Sequence, residues 1–271
     1  MWDPAQYQRY SDERSRPFFE LLARVHATSP RYVVDLGCGP GDLTVALAER
    51  WPDAHVDGVD NSPQMLEAAR ATLEGFLASH AGRTAGTGSL TFHHGDVSEF
   101  APARAVDVIV CNAVLQWIPG HRELLPRWAA ALSAEGWLAF QVPGNFDQPS
   151  HQILRELAGS ARWREQLAGV DVTRQTHHPG DYLDLLACAG YEVDAWESTF
   201  LHVLHGDDPV IDWYKGSGLR PVIAALAPGQ AAEFLDAYGR LLRAAYPARA
   251  YGTVLPFRRV FVVARRSEGT R

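Results

Sequence analysis

Apolar positions along this chain follow two rhythms. Short dense runs at 32–36, 55–59, 90–93, 106–111 and 137–142 are bounded by glycine, proline or charged residues, the pattern of strands buried on both faces. Between them apolar residues recur at helical spacing, over 15–26 (Phe18, Phe19, Leu22, Val25), 44–50, 65–77 and 121–132. Ser11-Asp12-Glu13 offers cap residues for the first helix and Pro17 suits its first turn; Trp51-Pro52 ends the second. The stretch 81–89 is rich in glycine, alanine and threonine and reads as a loop. From Pro143 to Gly180 the pattern is irregular. A helix over 181–189 and a long strand over 191–205 follow. Residues 209–246 read as helical, with breaks near Gly216-Ser217-Gly218 and Pro228-Gly229, and the last strand covers 257–265. There is no internal repeat.

Strands alternating with helices predict an α/β fold with a doubly wound, mainly parallel sheet. Ligands of such sheets sit at the carboxyl ends of the strands, near the point where strand order reverses. The helical residues before the final strand predict a cap inserted over that edge, a usual place for substrate specificity.

Composition narrows the function. The chain has 271 residues, a length that suits one larger α/β domain, with ordinary hydrophobic (46%) and charged (21%) fractions. A formal charge of −7 argues against a non-specific nucleic-acid binder. No apolar run approaches the roughly 18 residues of a membrane span. Met1-Trp2-Asp3-Pro4 has neither the basic nor the apolar part of a secretory signal, so a cytoplasmic location is expected. Cys38, Cys111 and Cys188 are far apart and are expected as buried small hydrophobes. The histidines form no metal-binding spacing; His93-His94 and His177-His178 are adjacent pairs, which diverge on a strand. No metal is expected. Arginine outnumbers lysine 24 to one, the single lysine being Lys215. Arginine is the better residue for holding carboxylates, so an anionic substrate stays open despite the negative total.

Asp35-Leu36-Gly37-Cys38-Gly39-Pro40-Gly41 follows a strand and opens a helix. Its glycines let the backbone approach a ligand, and the helix start offers free N–H groups. The spacing is not GxGxxG, and an acid precedes the first glycine, which suits a cationic ligand better than a phosphate and argues against a nicotinamide dehydrogenase. The string resembles motif I of class I S-adenosylmethionine methyltransferases. The rest of that family's pattern is present in order: Asp60 at the end of the second strand, Asn61-Ser62-Pro63-Gln64-Met65-Leu66, Gly95-Asp96-Val97 after the third strand, and Cys111-Asn112-Ala113-Val114-Leu115-Gln116-Trp117 ending the fourth. The resemblance implies a seven-stranded Rossmann-like fold and S-adenosylmethionine as cofactor. It implies cofactor contacts from Asp35, Gly37, Gly39, Gly41, Asp60 (ribose), Asn61, Met65, Asp96 and Val97 (adenine), and Asn112. It divides a single methyltransferase domain into an N-terminal lid and first helix (1–30), a cofactor-binding core (31–205), a helical cap (206–250) and a final strand (251–271).

The ends of the chain are more specific. Trp2-Asp3-Pro4-x-x-Tyr7-x-x-Tyr10-Ser11-x-Glu13-Arg14-Ser15-Arg16-Pro17 resembles the N-terminal signature of the trans-aconitate 2-methyltransferases. So do Asn112-to-Trp117 with Pro119 and His121, Ile211-Asp212-Trp213, Gly218-Leu219-Arg220-Pro221 and the terminal Pro256-Phe257-Arg258-Arg259-x-Phe261-x-Val263-Ala264-Arg265-Arg266. The loop 78–89 looks longer than is usual in that family. The resemblance implies esterification of one carboxylate of a small tricarboxylate, with no nucleic-acid or membrane partner. A carboxylate is already anionic at neutral pH, so no catalytic acid or base is needed. Arg14, Arg16, Arg220 and Arg258 are the candidates for holding the two carboxylates that do not react, with Tyr7, Tyr10, Gln116, Trp117 and His121 lining the pocket. His121 reads more readily as a helix-start residue or as one placed behind the pocket wall. Two alternatives stay open: methylation of another small di- or tricarboxylate, and a non-catalytic module that binds the cofactor. Whether the protein is a monomer or a homodimer is not legible.

Overall fold

A computed structural model of the chain describes residues 11–79, 87–172, 174, 176–216 and 218–266, with side chains from residue 15. Tyr7 and Tyr10, most of the proposed lid and much of the loop 78–89 lie outside the described residues, as does the Arg14 side chain.

Seven strands form one sheet: β1 (Tyr32–Leu36), β2 (His55–Asp60), β3 (Ser89–His94), β4 (Val106–Asn112), β5 (Leu132–Pro143), β6 (Tyr191–Leu204) and β7 (Thr253–Arg266). Their order is β3-β2-β1-β4-β5-β7-β6; the first five are parallel, and β7 runs antiparallel to both of its neighbours. The order reverses between β1 and β4, which opens a crevice at their carboxyl ends. On one face, α1 (Ser11–Leu22) and α2 (Asp42–Arg50) bury Phe18, Leu21, Leu47 and Trp51 against Val33, Val56 and Val108, with α3 (Pro63–Ser79) beside α2. On the other, α4 (Leu124–Ala130) and α6 (Pro179–Ala187) bury Leu125, Trp128, Tyr182 and Leu186 against Val34, Ile109 and Val260. The alternation of side chains along a buried strand supplies both cores from the same short runs.

Several boundaries differ from expectation. α1 begins earlier and ends at Leu22, and Pro17 lies inside it rather than in its first turn. Phe18 is fully buried while Phe19 is 51% exposed, because the helix turns the two to different sides. The expected helix over 121–132 divides into a 3₁₀ turn (His121–Glu123) and α4. β5 starts at Leu132 through a bulge against β4, where Gly136 sits so close to Leu132 and the Val106 carbonyl that a Cβ would lie within 3 Å of each. The stretch read as irregular contains α5 (Pro149–Ala158), signalled in retrospect by Pro149 at its first turn and by Ile153, Leu154, Leu157 and Ala158. Cys38 and Cys111 are buried, but Cys188 is exposed, because it caps the outer end of α6.

The cap is a third core. α7 (Pro209–Lys215), α8 (Arg220–Ala225) and α9 (Pro228–Ala245) lie between β6 and β7, with breaks at the expected glycines and proline. They pack with α5, Trp163 and Leu167. β6 and β7 pair along their whole 14 residues, whereas β5 meets β7 only from Arg259 onward. The two-stranded ribbon therefore runs past the carboxyl edge of the sheet, and its projecting Leu204, Leu255 and Phe257 join the cap core. Among the described residues, no helix is long and apolar enough to cross a membrane.

Candidate active site

A cavity of about 1000 Å³ lies between the sheet's carboxyl edge and the cap. Its lower wall is the turn after β1. Gly37 and Cys38 donate their N–H groups to the Val59 carbonyl (2.7 and 3.1 Å), and Gly39 donates to Asp60 Oδ2 (2.9 Å). Gly37, Gly39 and Gly41 all have positive φ, the region glycine enters without strain. A Cβ on Gly37 would lie 2.1 Å from Val114, whereas a Cβ on Gly39 would meet nothing within 4 Å, because that residue faces the cavity.

Asp60 has both oxygens fixed: Oδ2 by Gly39 and Oδ1 by the Ser62 N–H (2.8 Å). An ionised carboxylate accepts about four hydrogen bonds, so capacity remains on the cavity side. Asp96 Oδ1 accepts from the Ser98 N–H (2.8 Å) and hydroxyl (2.6 Å), bonds that hold its pKa below the ordinary value. Gly37, Gly39, Asp60, Asn61, Met65, Asp96, Val97 and Asn112 all line the cavity. Asp35 and Gly41 do not. Asp35 is buried beneath the turn, accepting from the Thr44 hydroxyl (2.7 Å), and burial raises its pKa to about 7. It staples β1 to α2. Gly41 caps α2 in a left-handed conformation, packed against Phe92 and Ala69. The acids, the open glycine and the buried Met65 and Val97 offer hydroxyl acceptors, backbone room and an apolar slot, which fits an adenosyl sulfonium.

The upper wall comes from the cap and the strand ends: Trp213, Lys215, Arg220, Phe257 and Arg259. Arg220, the first residue of α8, is where the sequence predicted a cation. Lys215, the chain's single lysine, is 3.0 Å from Asp212. Arg258 is not in the cavity. It binds Glu197 Oε2 (2.9 Å from Nε) and the Gly144 carbonyl (2.9 Å), whereas its neighbour Arg259 is 4% exposed on the cavity side. Adjacent residues of a strand face opposite ways, and Phe257 and Phe261, both buried, mark the side Arg259 shares. That alternation is legible in the sequence. Arg259 Nη1 donates to Gln141 Oε1 (3.2 Å), and Gln141 Nε2 donates to Asn112 Oδ1 (2.5 Å), a buried line from the cap ribbon to the end of β4.

Gln116 and Trp117 line the cavity as expected. Gln116 Nε2 donates to the Ala113 carbonyl (2.6 Å) and steadies a residue held at φ 56°. Its Oε1 is buried with no hydrogen-bond partner among the described residues. Trp117 carries the Arg174 guanidinium 3.6 Å above its ring. His121 is not on the wall. It is 5% exposed, with Nδ1 near the Ile118 carbonyl (3.3 Å) and Nε2 2.8 Å from the Tyr182 hydroxyl. A carbonyl only accepts, so Nδ1 carries the proton and Nε2 accepts; burial lowers the pKa and keeps the ring neutral. Arg16 is exposed, 5.4 Å from the centre of the Phe200 ring and away from the cavity. No cluster able to hold a metal ion occurs among the described residues.

Residues 33–136 match a family model described as a methyltransferase domain. The chain is 52% identical over 268 residues to the trans-aconitate 2-methyltransferase of Streptomyces avermitilis, covering 97% of this chain and 96% of that protein. It is 50% identical over 267 residues to that of Rhodococcus jostii, covering 97% and 99%. Its fold is similar to that of the YcgJ protein from Bacillus subtilis, with a TM-score of 0.57 at 12% identity over 93% and 98% of the two chains. With near-complete coverage at this identity, and with the glycine turn and its acids gathered on one cavity, the chain belongs to the trans-aconitate 2-methyltransferase family and is an S-adenosylmethionine-dependent methyltransferase.

Proposed function

We propose that the enzyme esterifies one carboxylate of trans-aconitate. The observation that carries this reading is the composition of one cavity: a cofactor turn with Asp60 and Asp96 at one end, and Lys215, Arg220 and Arg259 at the other. S-adenosylmethionine, when bound, supplies an electrophilic methyl group on a positively charged sulfur. Asp60 holds the ribose hydroxyls, Asp96 and the Val97 backbone the adenine, and Gly37 to Gly39 the methionine portion. Arg220 and Arg259 bind the two bystander carboxylates, and Lys215 adds positive charge beside them. A guanidinium clamp on the attacking oxygen would lower its nucleophilicity, so the clamps serve the groups that do not react. Trp117, Trp213 and Phe257 keep the space apolar, which strips water from the attacking carboxylate. Holding that oxygen in line with the transferred methyl supplies a large share of the rate. Gln116 holds the Ala113 turn, since its oxygen would repel a carboxylate. The cap at 206–250 carries substrate recognition, the core at 31–205 the cofactor, and a cytoplasmic location suits a small acid as substrate.

The test is methyl transfer from labelled S-adenosylmethionine to trans-aconitate, cis-aconitate, citrate and isocitrate in separate reactions. A base-labile monomethyl ester formed best from trans-aconitate is the expected result. A better yield from another of these acids would assign the cavity to that acid instead.

A further inference from the structure

A second, smaller cavity of about 420 Å³ shares no lining residue with the first. It lies at the same edge of the sheet, around the end of β5 and the start of α6. Chain neighbours are divided between the two spaces: Pro143 faces the large cavity and Gly144 the small one, and Arg259 and Arg258 divide in the same way. The small cavity is lined by Arg155, Arg174, Arg258, His177 and His178, and Asp147 is its one lining carboxylate among the described residues.

Each guanidinium is held in place. Arg155 Nη1 donates to the Phe146 carbonyl (2.8 Å), Arg258 is fixed by Glu197 and the Gly144 carbonyl, and the Arg174 guanidinium lies 3.6 Å from the centre of the Trp117 ring. Glu197 neutralises much of the Arg258 charge, so the field comes chiefly from Arg155 and Arg174. Both also face His151, whose pKa is lowered to about 3, chiefly by burial and then by these two arginines. Burial also lowers the pKa of Arg174 to about 10, against the favourable field of Asp171. Three guanidiniums share one hollow, and Glu197 and Asp171 offset part of their charge. Fixed, planar donor groups are the means by which proteins bind carboxylate and phosphate.

We propose that this cavity is a second binding site, for a small oxyanion of two or more negative charges, coupled to methyl transfer through Arg174 and Trp117. The volume accommodates a phosphate or a six-carbon polycarboxylate. Trp117 links the two spaces, because one of its faces carries Arg174 while its side chain lines the methyl-transfer cavity. An anion drawn to Arg174 biases where that guanidinium lies and so how firmly the indole is held. The inference concerns a site other than the acceptor's and does not depend on which acid is methylated.

The experiment is calorimetric titration of inorganic phosphate, and separately of citrate, into the full-length protein in a zwitterionic buffer. Native protein, Arg220→Ala (to weaken anion binding in the large cavity), Arg155→Gln and Arg174→Gln are compared. Glutamine at position 155 keeps a donor for the Phe146 carbonyl, and an unchanged thermal midpoint confirms that the fold is kept. Binding of either anion that survives in Arg220→Ala and weakens at least tenfold in Arg155→Gln or Arg174→Gln supports the site; which anion binds identifies the ligand chemistry. In transfer assays, saturating anion should change kcat at least twofold in the native enzyme and leave Arg155→Gln unaffected. Arg155→Gln without anion should keep the native kcat within about twofold. No binding by either anion, binding lost only in Arg220→Ala, or an unaltered kcat response in Arg155→Gln would overturn the proposal.

Discussion

Arg258 and Arg259 differ in role because a strand turns successive side chains to opposite faces. Arg258 is ion-paired with Glu197 on the neighbouring strand, while Arg259 is buried at the cavity and tied through Gln141 to Asn112. Arg259→Lys and Arg220→Lys should each raise the KM for the acid about tenfold or more, since lysine lacks the planar two-point contact. Arg258→Lys should leave KM within about twofold. Steady-state kinetics on the three variants check this. Asp35 gives a prediction in pH. Its pKa is raised to about 7 in the folded protein, from an ordinary value near 3.8, so the folded state binds the extra proton between these values. Stability contributed by the neutral group is present at low pH and is lost as pH rises through about 7. Asp35→Asn keeps an acceptor for Thr44 and removes the ionisation, so it should flatten the fall in urea-unfolding stability between about pH 4 and 7.

At the scale of elements, the turn after β1 was legible because its chemistry is local. Glycines at fixed offsets beside a buried strand need no distant partner to be recognised. What they pack against is not local: Gly37 lies under Val114 from the turn after β4. Gly37→Ala would place a methyl 2.1 Å from Val114 Cγ2 at a φ of +81°. It should lower cofactor affinity at least tenfold and destabilise the fold by about 1–3 kcal/mol, measured by calorimetry and urea unfolding. α5 and the ribbon show the opposite case. α5 was hidden within a stretch rich in proline and polar residues, and the extension of β6 and β7 past β5 depends on pairing between segments about sixty residues apart. The resemblance made His121 a candidate for the pocket. Its side chain found Tyr182 across the molecule instead, and only the fold brings those two together.

At the scale of the whole molecule, a buried polar knot holds the cap over the sheet. Asn145 Nδ2 donates to the Tyr214 hydroxyl (3.1 Å), which lies 2.8 Å from Ser150 Oγ; the Ser150 N–H donates to the Tyr246 hydroxyl, and Tyr238 donates to the Ser150 carbonyl. The knot joins the end of β5 to α5, α7 and α9. Tyr214→Phe strands Asn145 and Ser150 groups in a dry interior and should cost about 1–3 kcal/mol in urea unfolding. It should raise the KM for the acid more than the dissociation constant of S-adenosylhomocysteine, because the lost bonds lie on the cap side. The sequence by itself determined the strand and helix alternation, the glycine turn after β1 with Asp60 at the end of β2 and Asp96 beyond the end of β3, and the run of helices before the last strand. Each of these rests on the period of apolar residues or on chemistry carried within a few neighbours. Only the tertiary structure decided that α5 completes the cap core, that Asp35 and His121 brace the site from behind, and that Arg259 rather than Arg258 enters the cavity with Lys215. Those outcomes depend on which side of a strand meets which distant element, and long-range packing settles that.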